Sequence, residues 1–566
     1  MLTNFRQTMA WLHTWFGLVL GFILMVCFFF GTLSVFDREI DRWAIPQTRF
    51  EPQPMPSFDK VLLPVLQQIL PEQDDYDAKV QKLHDSSKGD VPARATLLQD
   101  RYWAYTTHRD PVLGMGVRFS VPTAYDAMEA RRINGDVVLD PRSGEIISDS
   151  ALRIGSGWFY PMHYSLNWPW KNIGYWIVGL AAFTMLVALV TGVILHRKVF
   201  REFFTFRPGR RTQRSALDLH NMTGVMALPF HFFFAFTGLV IFAGTIFLPV
   251  THTLLKPIHD EQHVLEAQRT GLPSERSGTA AALSSVDAMV VEAKTRWAAR
   301  GMPGEVGFLQ VNFVGDENSY VSIYRAGSDR VALVGEGVYF QGSTGKVLYE
   351  DPVRSPVSAT NEFLTGLHLQ HFEHWLLRWL YVVGGVLGSL CIATGFIFFV
   401  EKRKNQHAKI GSYGSCIVDS LAVTMITGMC IAAVGMLVTN RLLPAELIAK
   451  GDYEKASFWG LWMLAMVHAF IRSSPVAQAK HNPAWQEQCW VIAALAIAAV
   501  GLNWITTGDH LLKTLVWDRY WPVAGVDLSL ITVACISVWA ARKLSRKDLS
   551  DSASLESERQ GDQNVG

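Results

Sequence analysis

His13-Thr14-Trp15-Phe16-Gly17 has a counterpart later in the chain, His220-Asn221-Met222-Thr223-Gly224, and this repetition decides the fold. Each stretch opens a run of apolar residues. In each run a second marked glycine lies 18 residues past the histidine, Gly31 in Phe-Gly-Thr and Gly238 in Thr-Gly-Leu. Eighteen residues make about five helical turns, which places histidine and glycines on one face. An ionisable residue at the mouth of a membrane helix is costly and usually functional. The same residue twice at one register predicts a duplicated site, read here as part of a haem-binding membrane core.

Working outward, the 566 residues exceed one ordinary domain, and the 49% of hydrophobic residues gather in runs. Those runs are about 20 residues long, enough to cross roughly 30 Å of hydrocarbon. Eight spans are predicted, at about 9–36, 172–196, 218–248, 376–400, 416–438, 457–472, 487–506 and 522–541, the sixth being short. The first exceeds a signal-peptide apolar region and lacks a small-residue cleavage site, so it is expected to stay as an anchor. Arg197, Lys198, Arg201, Arg207, Arg210, Arg211 and Arg214 crowd one short loop, Lys402, Arg403, Lys404 and Lys409 another, and Arg542, Lys543, Arg546 and Lys547 the tail. Basic loops stay cytoplasmic, so both termini are expected inside, with 37–171 and 249–375 outside, in the periplasm of a Gram-negative cell. The expected fold is an α-helical polytopic membrane protein carrying two small α+β domains. Its parts are the first span (1–36), external domain one (37–171), spans two and three with the basic loop (172–248), external domain two (249–375), span four (376–405), an accessory bundle of spans five to eight (406–541) and a disordered cytoplasmic tail (542–566).

Net charge is +1, which gives no global attraction to nucleic acid. All six cysteines lie in or beside apolar runs, so no disulfide framework is expected. The absence of Cys-x-x-Cys-His excludes a thioether-bound haem. The two external segments repeat one another. Asp140-Pro-Arg-Ser-Gly-Glu-Ile-Ile147 matches Gln341-Gly-Ser-Thr-Gly-Lys-Val-Leu348, each with a glycine suited to positive φ between β-prone runs. A helix is predicted upstream of each, over 58–70 and 282–300, the second with a capping stretch at Ser284-Ser285-Val-Asp287. The exits repeat as well. His163-Tyr-Ser-Leu leads into the span ending Thr191-Gly192, and His368-Leu-Gln-His into the span ending Thr394-Gly395. The first 400 residues thus read as span–domain–span, twice.

By depth, His13 and His220 fall at the cytoplasmic level and His163 and His368 at the external level. Two pairs at two levels suit two stacked bis-histidine haems, because imidazole is a standard axial ligand. Gly17 and Gly224, beside two of the ligands, would let a flat porphyrin approach the backbone. The competing reading is four interfacial histidines bonded to lipid headgroups. His196 lies at the cytoplasmic level and can replace His13 or His220. His231, mid-membrane, can bridge electron flow, bind a proton, or be an ordinary core histidine. His368, His371 and His374 form His-x-x-His-x-x-His, an alternative external metal site. His259-Asp-Glu-Gln-His263 has Asp where a zinc protease needs Glu and is set aside. The last third has His468 in a span and His481 and His510 in loops, while Trp459, Trp462, Trp485, Trp490, Trp504, Trp517 and Trp521 cluster near span ends as an interfacial belt would.

These residues resemble a family. Arg6 with His13 and Gly17, Pro161-Met-His163-Tyr-Ser-Leu, Thr191-Gly192, Phe204-Thr-Phe-Arg-Pro-Gly209, Leu217-Asp-Leu-His220-Asn-Met-Thr-Gly224, Leu228-Pro-Phe-His231 and His368 are similar to the PepSY-associated transmembrane proteins. Within that group the chain looks like the siderophore reductases of bacterial inner membranes. The likeness covers roughly residues 1–405, and the four later spans depart from the minimal pattern. It implies b-type haem, two in number, ligated at His13, His163, His220 and His368. It also implies a reaction, in which electrons enter from the cytoplasm, cross the haems and reduce ferric iron held by a siderophore at the external face. Fe(II), with lower charge density, is held less firmly by hard oxygen ligands. No phosphate-binding or dinucleotide glycine motif is present, so the expected electron donor is a quinol or another protein. Two other functions compete, a proton-coupled siderophore or metal transporter and a non-enzymatic membrane regulator of a partner protein. Against transport, the spans lack paired Asp, Glu or Lys in sequence.

Overall fold

A computed structural model describes residues 4–73, 76–77, 93–106, 109–120, 132–147, 153–196, 212–243, 270–332, 336–352, 354–447, 449–473 and 482–563, with side chains through Arg546. The arginine-rich loop 197–211, His259, His263 and His481 lie outside them. The chain divides into two compact units. One is helical (Met1–Pro46, Ser150–Phe242, Trp375–Gly566) and the other carries the sheet (Gln47–Asp149, Ala243–His374).

Five helices of the first unit are long and apolar enough to cross a membrane: Trp170–Leu195, Trp375–Lys409, Gly414–Leu442, Ala484–Thr507 and Trp521–Arg546. Two further candidates are bent pairs, Phe5–Val19 with Gly21–Ser34 (58°) and Thr212–Met226 with Leu228–Phe242 (64°). The breaks fall at Leu20 and Ala227, each seven residues past its histidine, so the repeat extends to the bend. Pro229 explains the second bend, because it lacks an N–H and crowds the carbonyl four residues back. The bend corrects the one-face reading of the sequence: His13 and Gly31 sit on different helices. A helix of 22 residues, Lys450–Ile471, forms where the sixth span is expected. It is absent from the apolar set because Lys450, Asp452, Glu454 and Lys455 open it. It runs back along Gly414–Leu442, with Asn440 bonded to Glu454, Thr424 to Trp462 and Ser420 to Ala469. Small residues bring the helices close, as membrane packing requires. Phe230, Thr32 and Phe28 fill the spaces at Gly384, Gly385 and Gly388. Leu180, Phe183, Val190, Ile505 and Trp539 face outward, each more than half exposed.

The second unit holds one antiparallel sheet of eight strands: β1 (Leu98–Tyr105), β2 (Leu113–Ser120), β3 (Arg132–Leu139), β4 (Ile146–Ile147), β5 (Val306–Asn312), β6 (Tyr320–Arg325), β7 (Gly337–Gln341) and β8 (Val347–Glu350). Their order is β4-β3-β2-β1-β5-β6-β7-β8. The two external segments therefore form two four-stranded meanders that share one sheet, paired through β1 and β5 from Arg101↔Asn312 to Tyr105↔Phe308. They also share one core, in which Tyr102, Leu113 and Val117 of the first half pack with Trp297, Leu309 and Phe340 of the second. The physical reason is the edge: alone, β1 and β5 would each present unpaired N–H and C=O groups. Gly144 (φ 76°) and Gly345 (φ 72°) occupy the matching turns, as the sequence predicts.

The helices of the two halves, a π-then-α segment over Phe58–Leu66 and Val286–Ala299, cap one another. Asp287 accepts from Ser57 Oγ (2.5 Å) and Phe58 N (2.7 Å), and Asp59 accepts from Ser285 Oγ (2.6 Å) and Val286 N (3.0 Å). Ser-x-Asp at both starts makes the exchange reciprocal, with each carboxylate at the positive end of the other helix.

Candidate functional site

Three of the predicted histidines share the helical unit, and all three are held in one way. His13, on Phe5–Val19, places Nδ1 3.0 Å from Ala188 O and 3.2 Å from Thr191 Oγ1. His220, on Thr212–Met226, places Nδ1 2.7 Å from Cys391 O. His163, on the short helix Tyr160–Ser165, places Nδ1 2.8 Å from Cys27 O. In each case a glycine lies four residues past the accepting carbonyl: Gly192, Gly395 and Gly31. A Cβ there would stand 3.2 Å from His13 Cε1, 3.4 Å from His220 Cε1 and 2.7 Å from His163 Nδ1. The glycines make room for the rings.

The threonines beside two of these glycines anchor the same carbonyls. Thr191 Oγ1 donates toward Ala188 O (3.1 Å) and Thr394 Oγ1 toward Cys391 O (3.0 Å). The Thr-Gly pairs singled out in the sequence thus form two matching docks, carbonyl, threonine three residues on and glycine four residues on. Gly31 serves His163 and not His13, which the straight-helix reading missed.

A carbonyl oxygen only accepts, so in each histidine Nδ1 carries the proton and Nε2 the lone pair. This tautomer suits metal ligation, in which the second ring nitrogen donates to a carbonyl that fixes the ring. The rings of His13 and His220 stand 6.1 Å apart, centroid to centroid, with planes at 78°. Two imidazoles on one metal, at about 2 Å from metal to nitrogen and roughly 1.1 Å from nitrogen to ring centre, give a separation near 6 Å. The centroid spacing of the pair matches that value, the spacing that two imidazoles on one porphyrin iron would have. Among the described residues no group of three or more His, Cys, Asp or Glu could hold a bare ion.

The remaining candidates separate. Among the described residues no atom lies within 4 Å of where a Cβ at Gly17 would stand, whereas a Cβ at Gly224 would meet Cys391 Sγ at 3.3 Å. His231 is 2% exposed, lies 5.6 Å from the Phe28 ring, and its Nε2 has no hydrogen-bond partner among the described residues. His196 is exposed at the end of Ile173–Leu195. His368 belongs to the sheet unit, on the last turn of Pro356–Leu369. That helix ends before His371, and Gln370 is left-handed (φ 58°), so His371 and His374 leave its face. The proposed three-histidine metal site does not form.

Sequence reading also missed buried acids in the accessory bundle. Asp527 is 1% exposed and accepts from Trp43 Nε1 (2.8 Å) and Asn503 Nδ2 (3.3 Å). Glu454 is fully buried and accepts from Asn440 Nδ2 (2.7 Å). Each partner lies on another helix or a turn or more away, which no local spacing reports. His468 bonds Glu487 (2.9 Å) beside Arg472.

Comparison with known proteins gives two findings. The family model described as "PepSY-associated TM region" matches residues 10–402. An uncharacterized protein of Pseudomonas aeruginosa, PA4219, is 23% identical over 376 residues, covering 64% of this chain and 88% of its own length. The accessory helices lie beyond the family match.

Proposed function

Because the chain belongs to the family of PepSY-associated TM regions, a multi-pass membrane family, we propose that it is a haem b protein that passes electrons across a bacterial inner membrane. The acceptor is ferric iron held by a siderophore on the periplasmic side, and the product is Fe(II) released for uptake. The observation that carries this reading is the His13–His220 pair, 6.1 Å apart with each Nδ1 bound to a carbonyl. Haem bound there would supply an iron that changes charge by one electron.

The protein's own part is to bind and orient. Ala188 O and Cys391 O fix the two rings, and the Thr191-Gly192 and Thr394-Gly395 docks hold them against their helices. Neutral imidazoles ligate without bringing charge into the bilayer. A second haem, with His163 as one ligand, rests on the repeated histidine register in the sequence, and the Cys27 dock supports that ligand. The basic loops place His13 and His220 on the cytoplasmic side, where a quinol or protein donor would deliver electrons. Counting Lys450–Ile471 with the candidate spans gives the proposed eight, and the basic loops of the sequence then put both termini in the cytoplasm.

The test is the colour of purified full-length protein. A Soret band that shifts on dithionite reduction, with a pyridine haemochrome stoichiometry near two, supports the reading. Folded, colourless protein turns it toward the transporter or the regulator.

A further inference from the structure

We infer that Asp41 is the positioning residue for the His163 imidazole, acting through the start of the helical segment that carries it. The inference rests on His163 being a haem ligand. Asp41 lies on the helix Asp37–Ala44, just after Gly21–Ser34. Its buried carboxylate accepts from Gly155 N (2.7 Å), Ser156 N (3.2 Å) and Ser156 Oγ (2.5 Å). These residues open the segment Ile154–Ser165, a π turn followed by α-helix, with His163 in its last turn. A side chain at position 155 would collide with the Asp37 carbonyl, so only glycine allows the approach.

At the far end, His163 Nδ1 donates to Cys27 O. One continuous piece of chain, from Cys27 to Asp41, therefore grips the segment at both ends. The first grip sets the ring's tautomer and the second sets where the segment begins. Charge-assisted bonds to a carboxylate are about twice as strong as neutral ones, and a carboxylate at a helix start also meets the positive end of its dipole.

The helix bearing Asp41 is itself fastened. Trp43 Nε1 donates to Asp527 (2.8 Å), Arg441 donates to the Ala44 carbonyl, and Glu39 pairs with Arg378 (2.8 Å), which also donates to Val35 O (2.7 Å). Asp527 and Arg441 come from helices beyond the family match, so the accessory bundle contributes to the fixed position of Asp41.

The experiment uses full-length protein and follows each ferric haem by electron paramagnetic resonance, redox titration and haem content. Asp41→Asn is expected to shift or weaken the haem signal that His163→Ala abolishes, with retention of that haem falling on the order of 10–100-fold. The signal that His220→Ala abolishes should stay at wild-type values. Ser156→Ala, which removes one donor, should shift the same signal less, and it decides the matter if Asp41→Asn fails to fold. Wild-type resonance positions, potentials and haem content in both variants would overturn the role of Asp41. Wild-type protein that binds no haem would overturn the haem reading and the inference together; the two failures are thus distinguishable.

Discussion

The docks of His13 and His220 are copies that differ in two contacts. Both histidines stand seven residues before a bend, and both give Nδ1 to a carbonyl followed by threonine and glycine. The first carbonyl belongs to Ala188 and the second to Cys391, whose thiol stands 3.6 Å from His220 Nδ1. Both threonines donate to the carbonyls three and four residues back, and Thr191 Oγ1 alone also contacts its histidine, His13 Nδ1. What is copied is backbone geometry and space; what varies is the side chain at the carbonyl position. A duplicated site can thus keep its ligand frame while each copy tunes its surroundings.

Four measurements break or sharpen this comparison. If the pair holds one haem, His13→Ala and His220→Ala should have equal effects, each removing the same haem and leaving any other; unequal losses in the haem spectrum would break the symmetry. Glycine replacement should follow the space available. Gly31→Ala puts a methyl 2.7 Å from the His163 ring, Gly192→Ala 3.2 Å from His13 and Gly395→Ala 3.4 Å from His220. Overpacking of a tight site costs about 1–3 kcal/mol. Thermal unfolding and haem retention should therefore fall most for Gly31→Ala, less for Gly192→Ala and least for Gly395→Ala, and a reversed order would refute the docks.

In the sheet unit, burial of Asp316 raises its pKa, but donors from Ser277 N, Asn318 N, Ser277 Oγ and Gly278 N outweigh this and hold it down at about 2. An unfolded aspartate titrates near ~3.9. The stabilisation is complete above that value and is lost as pH falls through about 2, so acid unfolding of wild type should steepen in that window and Asp316→Asn should flatten it. Cys391→Ala should have the smallest effect, since it makes the second dock resemble the first. Its haem should persist, with a potential shifted only by the loss of the thiol beside His220 Nδ1.

Much of this was legible because it is local. Histidine register, Thr-Gly pairs and the Gly144 and Gly345 turns each depend on a few neighbouring residues. Pro229 accounts for the second bend once the structure is seen, but both runs read as straight helices in sequence, and that reading gave Gly31 to the wrong histidine. The carbonyls of Ala188, Cys391 and Cys27 were invisible, since every residue carries the same carbonyl. The shared sheet was hidden for a different reason. β1 and β5 are some 200 residues apart, and an edge strand reads the same whether its partner is solvent or another strand. Nothing in the sequence singles out Asp41; only its approach to Gly155 reveals what it holds.

The exchange of Ser57 and Asp59 with Ser285 and Asp287 has a consequence for biogenesis. The first meander emerges with its helix start unsatisfied and β1 open, and both partners are made more than 200 residues later. Between the two events the ribosome must also produce the helices Ile173–Leu195 and Thr212–Phe242. At about 5–20 residues per second, the half-built sheet waits some tens of seconds with a sticky margin. Premature pairing with another chain is the hazard of that interval, and a factor that shields nascent β-margins would raise the yield of assembled protein.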